Sequence, residues 1–226
     1  MTRSQLMQKV QAVIFDMDGL MFDTEKIYYQ AGQETADTLG MPYSFTVYQK
    51  MIGAGDLEYQ TMMQKMYQDH ELLEHFFEMS AHKLEELLLN GPVEKKPGLL
   101  EVLAYLKEQN IPMVVASSTQ REMVEQLLTR LKVRKYFKAV VGGDEVPAAK
   151  PAPDIFQKAF YKTEVAHKEK VLILEDSKNG IRAAARAEIP VILIPDLVAP
   201  DAEMKEKAVT ILPDLHHVID FIENKK

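Results

Sequence analysis

The chain has 226 residues, 46% of them hydrophobic and 27% charged, and a formal net charge of -7 at pH 7. That is room for one large domain or for a core with a smaller companion, and the composition is far from a disordered one. The acidic balance, without any dense Lys/Arg cluster, argues against a nucleic-acid partner, and the complete lack of cysteine excludes disulfides and thiolate metal sites.

An acidic protein that handles phosphate esters must supply local positive charge, through a metal or a placed lysine, because its overall field repels anions. The opening stretch MTRSQLMQKVQAVIF lacks the apolar region of a signal peptide, and no apolar run approaches the roughly 18 residues of a membrane span. The expected location is cytoplasmic, with no membrane partner.

The first predicted strand is the apolar run Ala12–Phe15, followed by Asp16, Met17, Asp18 and Gly19. Two carboxylates one residue apart, where a chain leaves a strand, can be aimed at one site, and a divalent cation is the usual remedy for their repulsion. Taken alone, the pair is equally compatible with turn or helix-capping aspartates. From about Phe22 to Pro92 the apolar residues fall at helical spacing (Met62, Met63, Met66, then Leu72, Leu73, Phe76, Phe77, then Leu84, Leu87, Leu88). This segment is read as an all-helical insert, with Phe22–Thr24 and Gly91–Pro92 as a hinge. Six of the thirteen methionines lie in it, filling a small helical core or lining an adaptable apolar surface.

Beyond the insert, strands are predicted at Met113–Ala116, Ala139–Val141, Val171–Leu174, Val191–Ile194 and Val209–Leu212. Helices are predicted at Leu99–Gln109, Arg121–Leu131, Asp154–Tyr161, Lys178–Ala187 and Leu215–Ile222. Short continuous β-branched runs that alternate with helices imply a parallel sheet covered on both faces. In such a sheet, ligands gather beyond the carboxyl ends of the strands. There the sequence places Ser117, Ser118, Thr119 and Gln120, hydroxyls and backbone N–H groups suited to an anion or to a plain helix N-cap. It places Lys150 in AKPAPD, where two prolines stiffen its mount and Asp154 is positioned to cap the next helix. It also places Glu175 and Asp176, two acids that end a buried strand and need pairing or a metal, before Ser177, Lys178, Asn179 and Gly180. The six histidines, His216 and His217 among them, show no metal-ligand spacing.

Together, in this order, these features resemble the haloacid dehalogenase superfamily over nearly the whole chain. VIFDMDG is similar to its first motif, VVASS to its second, Lys150 in KPAPDIF to its third and LILEDSKNG to its fourth. Phe22-Asp23-Thr24-Glu25 and the insert look like the cap of the subgroup that includes β-phosphoglucomutase and many sugar-phosphate phosphatases. The resemblance implies an α/β fold with a Rossmann-like core, residues 1–21 and 93–226, and a helical cap, residues 22–92. It implies that Asp16 is the nucleophile and Asp18 the general acid and base. Ser117, Ser118 and Lys150 would bind the phosphoryl group, and Mg2+ would be held by Asp16, Asp18 (through its backbone carbonyl) and Asp176, with Glu175 either a direct ligand or a partner of the ligands. The implied partner is a small phosphate ester, met by a monomer or weak dimer.

The acid at Asp18 favours ester cleavage over dehalogenation. A mutase of the subgroup carries a histidine in the first cap helix and an arginine after a cap glycine, where this chain has Tyr28 and Asp56. An acid there would repel a second phosphate, so hydrolysis is expected over phosphoryl shuffling. Lys50 is the candidate for the cap lysine that phosphonate hydrolysis would need. A non-catalytic phosphate-binding or regulatory protein is the alternative of another class, and the intact set of Asp16, Asp18, Lys150 and Asp176 argues against it.

Overall fold

The structure is a computed structural model that describes residues 10–52 and 56–223, the side chains of 56–58 excepted. Six strands, β1 Ala12–Phe15, β2 Met113–Ala116, β3 Ala139–Val141, β4 Val171–Glu175, β5 Val191–Leu193 and β6 Thr210–Ile211, form one sheet in the order β3-β2-β1-β4-β5-β6. Every neighbouring pair is parallel. The chain runs outward from β1 to β3, returns to lay β4 on the other side of β1, and runs outward again. Beyond the carboxyl ends of β2, β1 and β4 it therefore leaves the crevice where a doubly wound sheet takes its ligands.

The strands are apolar throughout because helices cover them. Ala12, Ile14, Val114, Val171 and Ile173 pack with Phe156, Ala159, Ala183, Ala184 and Ala187 in one cluster. Ala183, Ala184 and Ala187 belong to the helix Lys178–Ala187, whose small side chains allow the close approach that the sequence suggested, while Phe156 and Ala159 come from the helix Asp154–Thr163. The two-residue alternation of a strand turns Phe15 to the other face, where its ring meets Phe137 edge-on at 5.7 Å.

Two compact units emerge, one of β1 through Phe22 together with everything from Lys95 onward, the other Asp23–Glu94. Among its described residues the second unit holds only helices, Glu25–Leu39, Phe45–Gln49, Asp56–Met66 and His70–Asn90. Its core is built from Met41, Met51, Met63, Tyr43, Tyr48 and Phe76. Of the six methionines, Met41, Met51 and Met63 are buried and Met62 packs half-buried against the same core, whereas Met66 and Met79 are each 38% exposed, so the core-filling reading accounts for four of them. Lys50 is exposed, Tyr28 is partly buried against this core, and the side chain of Asp56 lies outside the described residues. Within the first unit, an isolated antiparallel bridge joins Phe22 to Lys95; within the second, the Asp23 N–H donates to the Glu94 carbonyl at 3.0 Å.

Asp154 does not cap its helix: Pro153 occupies the N-cap, and Asp154 opens the first turn, where its charge still complements the helix dipole. A short helix, Ala202–Lys207, was not foreseen. Among the described residues, no helix is long and apolar enough to cross a membrane.

Candidate active site

At the end of β1 the Asp16 N–H extends the ladder by donating to the Leu174 carbonyl at 3.1 Å, so the side chain is launched from the middle of the sheet. It is buried. The chain then turns at Gly19, whose φ of +77° suits a residue without a Cβ. The Gly19 N–H closes the turn on the Phe22 carbonyl at 3.0 Å. This turn carries Asp18 past the end of β2. There Asp18 Oδ2 accepts from the Ser117 hydroxyl at 3.1 Å and from the Thr119 hydroxyl at 2.9 Å.

Ser117 is fully buried and its Oγ also accepts from the Thr119 N–H at 3.1 Å. Neighbouring Ser118 is exposed. The hydroxyl-rich end of β2 thus serves, in this state, to orient Asp18. Thr119 is the member of that set which sequence reasoning left without a role. A hydroxyl within two residues of Ser117 was the signal for it, but the contact spans 101 residues of chain.

Lys150 reaches the site from the loop after β3. Its Lys150–Pro151 peptide bond is cis, and its ammonium lies 4.7 Å from the centre of the Phe156 ring, a cation–π contact. The buried Nζ binds Asp16 Oδ1 at 2.5 Å and Glu175 Oε1 at 2.7 Å. The second oxygen of Glu175, Oε2, accepts from the Ser177 N–H at 2.6 Å and from its hydroxyl at 3.0 Å, while Ser177 Oγ caps the next helix by accepting from the Gly180 N–H at 3.1 Å. Glu175 therefore ties Lys150 to the helix start. Asp176, partly buried, brings its carboxylate near those of Asp16 and Glu175; one oxygen from each lies within 4.8 Å of the others.

Gly180 is required by this packing. A Cβ there would fall 1.6 Å from Glu175 Oε1 and 1.9 Å from its carboxyl carbon. Replacing Gly180 by alanine is expected to destabilise the protein by about 1–3 kcal/mol, the usual range for overpacking, even though alanine favours helix. Urea unfolding of the two proteins measures it, and an alanine variant as stable as wild type would show that Glu175 can move without loss.

Charge in the site is unbalanced. Asp16, Glu175 and Asp176 bring carboxyl oxygens together and Asp18 is close enough to act on Asp16, while among the described residues the buried ammonium of Lys150 pairs with Asp16 and Glu175 alone. Burial pushes the Asp16 carboxyl up, to about 8. The Lys150 charge pulls it down, but that charge is shared with Glu175, and Glu175 and Asp18 both push Asp16 upward as well. Burial opposes the charge on Lys150, yet Asp16 and Glu175 outweigh it and hold the ammonium above its ordinary range. Clustered carboxylate oxygens with surplus negative charge are the donor set of a hard divalent cation such as Mg2+, and among the described residues no thiolate or imidazole joins the cluster to favour a softer ion.

Comparison with known families settles the chain's kinship. Residues 13–194 match the family described as haloacid dehalogenase-like hydrolase. The chain belongs to that family.

The hydrolase is 35% identical to a phosphorylated carbohydrates phosphatase of Thermotoga maritima, over 80% of this chain and 82% of that one. It is 30% identical to (DL)-glycerol-3-phosphatase 2 of Arabidopsis thaliana, with 89% and 87% covered, and 29% identical to hexitol phosphatase B of Escherichia coli K12, with 87% of each covered. Among solved structures, the hydrolase resembles a CbbY variant of Rhodobacter sphaeroides in complex with xylulose-(1,5)bisphosphate, with a TM-score of 0.76 and 25% identity over 92% of this chain and 95% of that one. A hydrolase from Pseudomonas syringae shares the fold, with a TM-score of 0.77 at 23% identity over 95% and 98% of the two chains.

Proposed function

We propose that this hydrolase is a Mg2+-dependent phosphatase that cleaves the phosphomonoester of a small sugar or polyol through a phosphorylated Asp16. The observation that carries the reading is the convergence, beyond β1, β2 and β4, of Asp16 on Lys150 and of Asp18 on two hydroxyls. A nucleophile, an oriented acid and a fixed cation are the parts that in-line displacement at phosphorus requires.

In this scheme an Asp16 carboxylate oxygen bonds to phosphorus as the bond from phosphorus to the ester oxygen breaks. Asp18 gives its proton to that departing oxygen, so the leaving group goes as a neutral alcohol. Asp18, now a carboxylate, then takes a proton from a water whose oxygen attacks the same phosphorus; the bond to Asp16 breaks, releasing inorganic phosphate and restoring both acids. The hydroxyls of Ser117 and Thr119 hold Asp18 in place through these transfers. Lys150 binds the transferring group and keeps Asp16 aimed, and Ser117 and Ser118 are proposed as further phosphate ligands. Ser117 would have to turn its proton from Asp18 to serve in that way.

Asp16, the Asp18 backbone carbonyl and Asp176, with Glu175 beside them, would hold Mg2+. When bound, the ion neutralises charge that otherwise opposes attack of one anion on another. The helical unit Asp23–Glu94 is proposed as the cap that selects the leaving group. The names of the relatives, which concern carbohydrate, glycerol and hexitol phosphates, support a small polyhydroxylated leaving group.

A panel of phosphate esters assayed with and without Mg2+ tests this. Mg2+-dependent release of inorganic phosphate from sugar or polyol phosphates, abolished by chelation, is the expected result. β-Glucose 1-phosphate with a bisphosphate primer should give no glucose 6-phosphate. Efficient conversion would make the protein a mutase, and silence toward every ester would remove the enzymatic reading.

A further inference from the structure

One acid near the site takes no part in the scheme above. Asp196 follows β5 at the same edge of the sheet, and its side chain is only 7% exposed. Its Oδ1 pairs with Lys96 Nζ at 2.5 Å. The Lys96 backbone N–H donates to the Met21 carbonyl at 2.9 Å, so the pair is anchored to the turn that follows Asp16 and Asp18. Its Oδ2 is buried and has no hydrogen-bond partner among the described residues. A carboxylate oxygen buried in that way is costly unless something donates to it.

The direction of that oxygen is fixed by Gly19. A Cβ on Gly19 would meet Asp176 Oδ2 at 2.4 Å and Asp196 Oδ2 at 3.3 Å. The two carboxylate oxygens therefore border the same gap, which exists only because residue 19 has no side chain. Like charges facing one gap need a cation or a hydrogen-bond donor between them. Mg2+ dehydrates reluctantly and usually keeps several waters, each of which donates outward.

We propose that Asp196 is a positioning residue for the cation site, its Oδ2 accepting a hydrogen bond from water carried by the divalent ion that Asp16 and Asp176 hold. The inference rests on the phosphatase reading above, because it needs a cation at those residues. Lys96 fixes Oδ1 so that Oδ2 stays aimed across Gly19. Partners of this kind orient a metal's ligands, and their loss weakens the metal by about tenfold to a hundredfold.

Calorimetric titration of Mg2+ into metal-free wild type, Asp196→Asn and Lys96→Met decides it, with melting of each metal-free protein as the control for folding. The expected result is a Mg2+ dissociation constant raised about tenfold or more by Asp196→Asn and raised by a clearly smaller factor by Lys96→Met, which loosens the aim of Oδ2 but leaves the acceptor in place. Asp196→Ser gives the same comparison if the asparagine variant does not fold. Equal Mg2+ affinity in Asp196→Asn and wild type overturns the role of Asp196 and leaves the phosphatase reading intact. Equal weakening by Asp196→Asn and Lys96→Met also overturns it, because the pair would then act only as a clamp on the turn. A wild type that takes up no Mg2+ overturns the phosphatase reading and this inference together.

Discussion

Replacing Asp16 by asparagine is expected to lower kcat by on the order of 10^4-fold or more, yet to leave the metal-free protein at pH 7 at least as stable as wild type, because only the wild type must take up a proton to fold there. The two halves have different causes. An amide oxygen cannot form the phosphorylated intermediate, so what remains is catalysis by positioning and charge alone. Stability is spared because burial holds the wild-type carboxyl up at about 8, which leaves it mostly protonated at pH 7 in the absence of metal. Asparagine then substitutes one neutral group for another of the same shape, and Lys150 keeps its bond to Glu175.

The same shift sets a pH dependence. Folding retains a proton on Asp16 between its ordinary value of 3.8 and about 8. The stability this contributes is complete below the first value and is lost as pH rises through the second. Melting of the metal-free wild type should therefore fall between about pH 4 and about pH 8 more steeply than melting of Asp16→Asn. Scanning calorimetry on both proteins, beside single-turnover assays with Mg2+, checks the whole prediction. A variant that retains most turnover would sink the nucleophile assignment.

Asp16 could be found from the sequence because a buried parallel strand is a continuous apolar run. When Ala12–Phe15 stops at two acids, the stop marks a carboxyl end. The same logic located Ser117 after β2 and Glu175 and Asp176 at β4. It worked less well toward the edge of the sheet: β5 ends at Leu193 instead of Ile194, and β6 is only Thr210–Ile211. At the edge strand β6 both residues are only half buried, so its apolar signal is weak; the one-residue difference at the buried end of β5 is a matter of boundary alone. The helix Ala202–Lys207 has six residues and a single buried one, Met204, too few for any period to show. Its legible signal was local: Asp201 caps it by accepting from the Met204 N–H at 2.9 Å.

What the sequence could not convey was which side chains of the site bind one another. The hydroxyl run after β2 looked like an anion cradle, and in the structure two of its members hold Asp18. Lys150 looked like a phosphate ligand on a stiff mount, and in the structure it binds Asp16 and Glu175. Gly180 stood in the fourth motif with no reason of its own, and the reason is a carboxylate 1.6 Å from where its Cβ would be. These are contacts between strand ends far apart in the chain, set by the order β3-β2-β1-β4. Composition and spacing carry no record of them.

The largest structural effect is expected from Lys150→Met. Methionine keeps much of the length and apolar stem of lysine but removes the buried cation that two carboxyl groups share. Taking one partner from a buried pair costs about 3–5 kcal/mol, which for a chain of this size corresponds to a melting temperature lower by on the order of 10 °C. The remaining acids can relieve the strain by holding protons. Asp16 loses the Lys150 pull that lowers it, and its carboxyl moves further up. A carboxyl raised in the folded state gives stability that is lost as pH rises, so the deficit of the variant grows toward alkaline pH.

Mg2+ should counter that deficit, since it supplies charge to the same carboxylates, and the variant should gain more stability from Mg2+ than wild type does. Turnover will not return with it, because the ion cannot take over the place of Lys150 on the transferring group. Melting curves across pH with and without Mg2+, together with kcat at saturating Mg2+, separate the two roles. A metal-free variant as stable as wild type would show that Asp16 and Glu175 do not depend on the ammonium. Full turnover with Mg2+ would show that Lys150 serves only to hold the site together until the ion arrives.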